Sequence, residues 1–297
     1  MNEPDRGTRT GTVTGPGSLV LVATPIGNLA DLSPRAAQAL LTADVVAAED
    51  TRHTGRLLQH ARETAGMDAD AAGPRLVSYH EHNERSRAQE LLAMITGGAT
   101  VAVASDAGTP GVADPGYRLV AAAVAEGVTV TAVPGPSAVL QALLLSGLPT
   151  DRFAFEGFLP RKQGARSRHL ASVAGDARTL VFYVAPHRAA DELEAMAAAF
   201  GPDRGAALAR ELTKRFEEVW RGTLGELAER AKTGVKGEVT VVVAGADSGQ
   251  DERSIDELVA DVNARIAEGS SRRDAVADVA AAAGVSRREL YQAALET

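Results

Sequence analysis

The sequence predicts an α/β protein made of two α/β domains and a small C-terminal helical module, and three observations carry that reading. From Ser18 to Thr150 short apolar runs alternate with helical stretches, the rhythm of strand–helix units on a largely parallel sheet. After Leu148-Pro149-Thr150 short strands follow one another with only two or three helices between them, which points to a mixed sheet. The tail changes character again, to short amphipathic helices. A chain of 297 residues suits this division, since about 150 residues per domain gives two full-sized cores. The expected segments are a flexible tail over 1–17, a first domain over 18–150, a second over 151–246 and a helical tail over 247–297.

In the first domain the expected strands are Leu19–Ala23, Val45–Ala48, Leu76–Tyr79, Thr100–Ala104 and Val128–Val133. Ser33-Pro34 starts a helix toward Leu41, because serine accepts from free N–H groups and proline fits the first helical position. Asn83 caps a helix running through Ile95, and Gly97-Gly98 stops it. Residues 61–74, with Gly66, Gly73 and Pro74, read as a surface loop. In the second domain strands fall at Phe153–Glu156, Thr179–Tyr183, Ala206–Ala209, Glu218–Gly222 and Glu238–Ala244, with helices near 164–173, 187–199 and 223–232. In the tail, Ser254–Glu268 is acidic and amphipathic. Two short helices over Ser270–Ala283 and Ser286–Ala294 flank Gly284 in a helix-turn-helix spacing, with Ser270 or Ser271 and Ser286 as caps.

Hydrophobic residues make up 45% of the chain and charged residues 24%, ordinary globular usage that argues against wholesale disorder, collagen and coiled coil. Cysteine is absent, which removes disulfides, iron–sulfur clusters and cysteine nucleophiles. His80 and His82 sit two residues apart, a poor spacing for metal ligands, so no metal is expected. Met1–Gly17 lacks a signal pattern and no apolar run is long enough for a bilayer, so a cytoplasmic protein without membrane contact is expected. The net charge of −8 argues against a protein that coats nucleic acid along its whole surface. That charge is uneven: residues 18–150 carry −5, residues 151–246 carry +2 and residues 247–297 carry −5.

No GxGxxG follows a strand, and no GxxxxGK[ST], GxSxG or HExxH occurs, which disfavours nicotinamide, P-loop, serine-hydrolase and zincin chemistry. Three Pro/Gly loops each follow a first-domain strand instead. They are Thr24-Pro25-Ile26-Gly27-Asn28, Ser105–Gly111 extended by Asp114-Pro115-Gly116, and Pro134-Gly135-Pro136-Ser137-Ala138. Any one of them reads as a plain turn; together, at the carboxyl edge of a parallel sheet, they form a slot of backbone donors and acceptors. Such a slot suits a mostly neutral, adenosine-sized ligand. The block Glu49-Asp50-Thr51-Arg52-His53 reaches the same edge, although Asp50 there is also an ordinary helix N-cap. Phe155–Lys162 continues into Arg166 and Arg168, with four basic groups and no acid between Pro160 and Leu170. Such a run is a solvated helix face or, beside Phe155 and Phe158, a surface for a phosphate backbone and a stacked base.

Taken in order, these motifs resemble the tetrapyrrole-methylase superfamily of S-adenosylmethionine-dependent methyltransferases, and within it the members that act on ribosomal RNA. The matching pieces are Thr24–Asp31, Glu49–Arg52, His80–Arg85, Ser105–Gly116, Val133–Ala138, Gly157–Lys162, Ala185–Arg188 and Ala209–Lys214 with Glu217-Glu218. The resemblance implies two α/β domains with a ligand cleft between them, S-adenosylmethionine as the methyl donor, and a homodimer. It implies 2′-O-methylation of a cytidine ribose in 16S rRNA, as free RNA or in the 30S subunit. Donor contacts then fall on Pro25, Gly27, Asp106, Ala107, Gly108, Val112, Pro134, Gly135 and Ser137, and from the second domain on Pro186, Glu211, Leu212 and Gly237. The hydroxyl proton goes to one of Glu49, Asp50 and Lys214, Arg52 positions phosphate, and Arg161, Lys162, Arg166 and Arg168 hold the RNA backbone. Two alternatives stay open: a methylase of a small tetrapyrrole, and a non-enzymatic nucleic-acid regulator acting through the helix-turn-helix tail.

Overall fold

The computed structural model describes residues 17–67, 73–246, 254–283 and 285–296; the expectations for residues 1–16, 68–72, 247–253 and Gly284 fall outside these. Strands β1 (Ser18–Val22), β2 (Val45–Ala48), β3 (Arg75–Ser78), β4 (Thr100–Ala104) and β5 (Thr129–Val133) form a parallel sheet in the order β3-β2-β4-β1-β5. Helices α1 (Pro34–Thr42) and α2 (Thr51–Thr64) cover one face, where Leu40 and Leu58 pack on Val22, Val46 and Ala102. Helices α3 (Glu84–Thr96) and α4 (Tyr117–Ala125) cover the other, where Leu91 and Leu119 pack on Leu19, Val45 and Val101. Burial on both faces is why Val45–Ala48 is apolar throughout rather than alternating. Adjacent strands β1 and β4 lead to helices on opposite faces, so their exit loops part and leave a crevice at the carboxyl edge.

Helix α5 (Ala138–Ser146) leaves this sheet and packs on the next one, its Val139, Ala142 and Leu143 meeting Val181, Ala209 and Val242. The second sheet contains β6 (Phe153–Phe158), β7 (Thr179–Val184), β8 (Gly205–Arg210), β9 (Glu218–Thr223) and β10 (Val239–Val243), in the order β6-β7-β10-β8-β9. It is mixed: β6 runs parallel to β7 and the other pairs are antiparallel. Helices α6 (Gln163–Val173), α7 (Ala189–Phe200) and α8 (Leu224–Ala231) bury Phe182, Leu208 and Val241 on its outer face. The period of two along β7 then turns Val181 and Tyr183 to the opposite side, toward α5. Helices α9 (Ile255–Ala267), α10 (Arg272–Ala283) and α11 (Arg287–Glu296) share a core of Leu258, Val262, Val276 and Leu290. Ser271 and Ser286 accept from the N–H groups of Asp274 and Glu289 at 3.2 and 3.4 Å, the capping expected of them.

Two local expectations change. Helix α2 continues to Thr64 because Leu57, Leu58 and Ala61 keep a buried stripe at helical spacing, so the loop expected over 61–74 starts only at Ala65. Asn83 occupies the N-cap position of α3 but makes no cap; its Oδ1 accepts from the His80 N–H at 2.9 Å and its Nδ2 donates to the Ser78 carbonyl at 3.2 Å. It fastens the turn after β3 instead.

Candidate active site

Each strand of the first sheet that faces the crevice delivers a loop, and the loops are tied to one another. Thr24 and Gly108 form an antiparallel bridge between the first and second loops, and the Thr24 hydroxyl donates to the Ser105 carbonyl at 3.1 Å. Gly135 lies so close to Ala23 that an added Cβ would stand 3.0 Å from the alanine methyl, so glycine is what lets the third loop approach the first. Asp50 caps α2, accepting from the N–H groups of Arg52 and His53. The block after β2 and the loop after β4 are cross-linked: the Asp50 N–H donates to Asp106 Oδ1 at 3.1 Å, and the Asp106 N–H donates to Glu49 Oε2 at 3.4 Å.

The second half contributes the turn after β8. Glu211 and Thr213 adopt φ values of 50° and 65° on either side of Leu212, and Ala113 in the opposing loop has 63°; these are the non-glycine left-handed residues among those described. Such backbone is costly for a side-chain-bearing residue and gathers at functional sites. Lys214 Nζ bonds Glu211 Oε1 at 2.9 Å and Glu238 Oε2 at 3.1 Å. Burial opposes its charge, but these two hydrogen bonds prevail and hold the ammonium above the ordinary lysine value. Lys214 is therefore a fixed cation.

Two neighbouring cavities open where the halves meet. The larger, about 530 Å³, has Gly108, Val112, Ser137 and Ala138 on one side and Phe158, Tyr183, Pro186, Leu212 and Gly237 on the other. The smaller, about 300 Å³, is walled by Pro25, Gly27, His53, Arg56 and Lys214. Ile26, Asp106, Ala107 and Glu238 line both. Glu49, Asp106 and Asp114 make one wall of the larger cavity acidic. Burial raises the Glu49 carboxyl, against the pull of the Asp106 N–H, and the Asp106 charge adds to the rise. Burial followed by the Glu49 charge pushes Asp114 up to about 7. Asp50 is the opposite case, since the hydrogen bond from the Arg52 side chain brings it down to about 2.

The residues expected at the site divide accordingly. Asp106, Ala107, Gly108, Val112, Ser137, Pro186, Leu212 and Gly237 line the larger cavity, and Pro25 and Gly27 the smaller. Pro134, Gly135 and Glu211 line neither: Gly135 spaces two loops, and Glu211 packs against Gly237, whose φ of 85° has no room for a side chain. Of Glu49, Asp50 and Lys214, Glu49 lines the larger cavity and Lys214 the smaller, while Asp50 and Arg52 pair with each other at 3.1 Å outside both. Arg161, Lys162 and Arg168 are exposed at the start of α6, close in sequence to Phe158 at the cavity wall. Arg166 is half-buried instead, with its charge acting on the buried Glu192. Tyr183, Glu238 and Arg56 were not singled out as site residues from the sequence, and Asp114 and His53 were named there only as members of a loop and a block, with no role of their own. For Asp114 a signal existed, a carboxylate inside a Pro/Gly loop at a strand end.

The family model of Tetrapyrrole (Corrin/Porphyrin) Methylases matches residues 18–228, from β1 into α8 and so every strand of the two sheets except β10. The chain belongs to this family. Among its relatives are proteins named ribosomal RNA small subunit methyltransferase I. That of Mycobacterium bovis is 50% identical over 282 residues, 95% of each chain, and that of Escherichia coli O157:H7 is 42% identical over 285 residues, 94% of this chain and 95% of that one. Among solved structures, the methyltransferase CobJ aligns with a TM-score of 0.58 at 21% identity, covering 77% of this chain and 95% of that one. Uroporphyrin-III-C-methyltransferase from Thermus thermophilus aligns with a TM-score of 0.52 at 23% identity, covering 77% and 95%. These neighbours share the tetrapyrrole methylase fold, two α/β halves with the crevice between them, as the sequence predicts.

Proposed function

We propose that this tetrapyrrole methylase family member transfers the methyl group of S-adenosylmethionine to the 2′-oxygen of a cytidine ribose in 16S rRNA, free or in the 30S subunit. The observation that carries the reading is the larger cavity, walled by the loops of both halves, in a chain whose relatives along nearly its whole length are named for methylating small-subunit ribosomal RNA. That likeness along the sequence weighs against a small tetrapyrrole as acceptor, and a regulator acting through the tail leaves the cavity without a task. Work on the ribosome places the protein in the cytoplasm.

The larger cavity fits the donor chemically. Val112, Pro186, Leu212 and Tyr183 offer apolar surface to an adenosine, Gly108 and Gly237 let backbone approach closely, and Glu49 and Asp106 complement a cationic sulfonium and ammonium. When bound, S-adenosylmethionine supplies an electrophilic methyl for in-line transfer. The chain's own part is to align the acceptor oxygen with that methyl, exclude water and accept the hydroxyl proton. Lys214, pinned by Glu211 and Glu238, holds the seam between the cavities. Asp50, low in basicity and committed to capping, and Lys214, protonated, are poor proton acceptors, and of the three only Glu49 lines the larger cavity. Arg161, Lys162 and Arg168 offer cations to the RNA backbone beside Phe158, with Arg52 a further exposed cation near the crevice. A second copy of the chain is the partner for the exposed outer stripe of α5, Leu140 and Leu144.

The test is transfer of labelled methyl from S-adenosylmethionine to 30S subunits, and to free 16S rRNA, from cells lacking the modification, followed by mapping of the nucleotide. Label on a cytidine ribose is expected; no incorporation into either RNA substrate overturns the reading.

A further inference from the structure

Four carboxylates line the larger cavity; Glu238 is taken by the Lys214 ammonium at 3.1 Å, and hydrogen bonds tell the other three apart. Glu49 Oε2 accepts the Asp106 N–H at 3.4 Å. Asp106 Oδ1 accepts the Asp50 N–H at 3.1 Å and lies 3.8 Å from His53 Nδ1. Both accept a backbone N–H. Asp114 accepts no backbone N–H among the described residues, and the nearby Ser105 hydroxyl donates to the Gly108 carbonyl at 3.1 Å. It is carried by the loop after β4, directly after Ala113 with its left-handed φ of 63°, and it meets the cavity opposite the Tyr183 side of the wall.

We propose that Asp114 takes the proton from the hydroxyl that is methylated, with Glu49 as the neighbouring charge that tunes it. This rests on the reading of the larger cavity as the methyl-transfer site. Every group facing Asp114 bears on the role. Burial, then the negative charges of Glu49 and Asp106, push its carboxyl up to about 7, against the influence of the Ser105 hydroxyl. Tyr183 across from it stays a neutral phenol, pushed up to about 12 by burial and then by the charges of Asp114 and Glu238. Two imidazoles face this group of acids: His80, whose positive charge favours the ionised form of Glu49, and His53, 3.8 Å from Asp106. A carboxylate that titrates near neutral pH accepts a proton far better than one held at about 2, as Asp50 is. In the step itself the hydroxyl proton passes to the Asp114 carboxylate and the oxygen lone pair forms the new bond to the methyl carbon. The carbon–sulfur bond breaks with its electron pair retained on sulfur, which leaves S-adenosylhomocysteine. Asp114 then returns its proton to water.

A rival role for Asp114 is to hold the donor's ammonium group. The two are separated by measuring kcat for methyl transfer to 30S subunits from pH 5.5 to 9, with donor affinity by calorimetry, for the wild type, Asp114→Asn and Glu49→Gln. The expected result is a wild-type limb that rises through about 7 in kcat/KM from the same measurements, the ratio that reports the free enzyme. Asp114→Asn should lose that limb and about 10²-fold or more of kcat while binding the donor within threefold of wild type. Glu49→Gln should keep the limb and move it to lower pH, because one repelling charge is gone. An Asp114→Asn protein with its limb intact, or one whose donor affinity falls as far as its kcat, overturns the proposal. Should that variant not fold, an unmoved limb in Glu49→Gln overturns it equally, and a limb moved to lower pH supports it. A wild type that labels neither 30S subunits nor free RNA removes the methyl-transfer reading along with it, an outcome distinct from failure of the variants alone.

Discussion

Gly27 and Lys214 meet across the crevice so closely that a methyl group added to residue 27 would collide with the lysine stem. Gly27 has a φ of 151°, and the ammonium at the end of that stem is tied to Glu211 and Glu238. A loop of the first half and a turn of the second are thus set by one contact. Gly27→Ala should lower methyl-transfer activity and cost about 1–2 kcal/mol of stability in strain and displaced packing. Shortening the stem relieves the collision, so the same substitution in a Lys214→Ala background should cost less. A double-mutant cycle by chemical denaturation reads the difference; strict additivity contradicts the contact.

The basic block separates into two kinds of arginine. Arg161→Ala with Lys162→Ala should weaken binding to ribosomal RNA and flatten its dependence on salt, leaving the thermal midpoint unchanged. Arg166→Ala should act the other way. Glu192 is 1% exposed and pairs with Arg188 at 2.7 Å, and loss of the second nearby cation leaves a buried carboxylate less compensated. A fall in thermal midpoint with little change in RNA affinity is expected, and the reverse pattern would place Arg166 on the RNA-facing surface.

Asp114 also makes stability depend on pH. Its carboxyl moves from an ordinary 3.8 to about 7 on folding, so between those values the folded chain holds a proton that the unfolded chain has released. The contribution is full below the lower value and is lost as pH rises through the upper one. Asp114→Asn should therefore raise the thermal midpoint at pH 8, with a smaller gain at pH 5. An equal gain at both values counts against the raised carboxyl.

Leu140 and Leu144 are 48% and 67% exposed, one turn apart on the outer side of α5, whose inner side is buried. Leu144→Asp should shift the protein to monomer in light scattering. A wild type that is already monomeric rules out the self-association.

Much of the frame was legible because each strand is apolar and bounded by turn residues: Val45–Ala48 and Thr100–Ala104 are found where the sequence puts them. Helices α4 and α5 were not, since both are apolar enough along their length to hide a helical period. The three crevice loops were legible from Pro and Gly at strand ends. What each side chain does there was not, because it depends on partners remote in sequence. Glu49 meets Asp106 only through the pairing of β2 with β4, and Tyr183, read as a strand residue, reaches the cavity because its neighbour Phe182 takes the core side. Asp50 is the helix N-cap that the sequence also reads there, accepting from the first N–H groups of α2.

Helix α5 follows the last strand of the first sheet in sequence, yet its buried side completes the core of the second. The linear boundary near residue 150 is consequently not a seam along which the molecule can be cut. A fragment starting there would present the bare faces of Val181, Ala209 and Val242 to water, and one ending there would carry a helix with nothing to pack on. During synthesis the first half emerges with that helix still unsatisfied, and its docking must wait until β10, the central strand of the later sheet, has left the ribosome. The two halves share this core through α5.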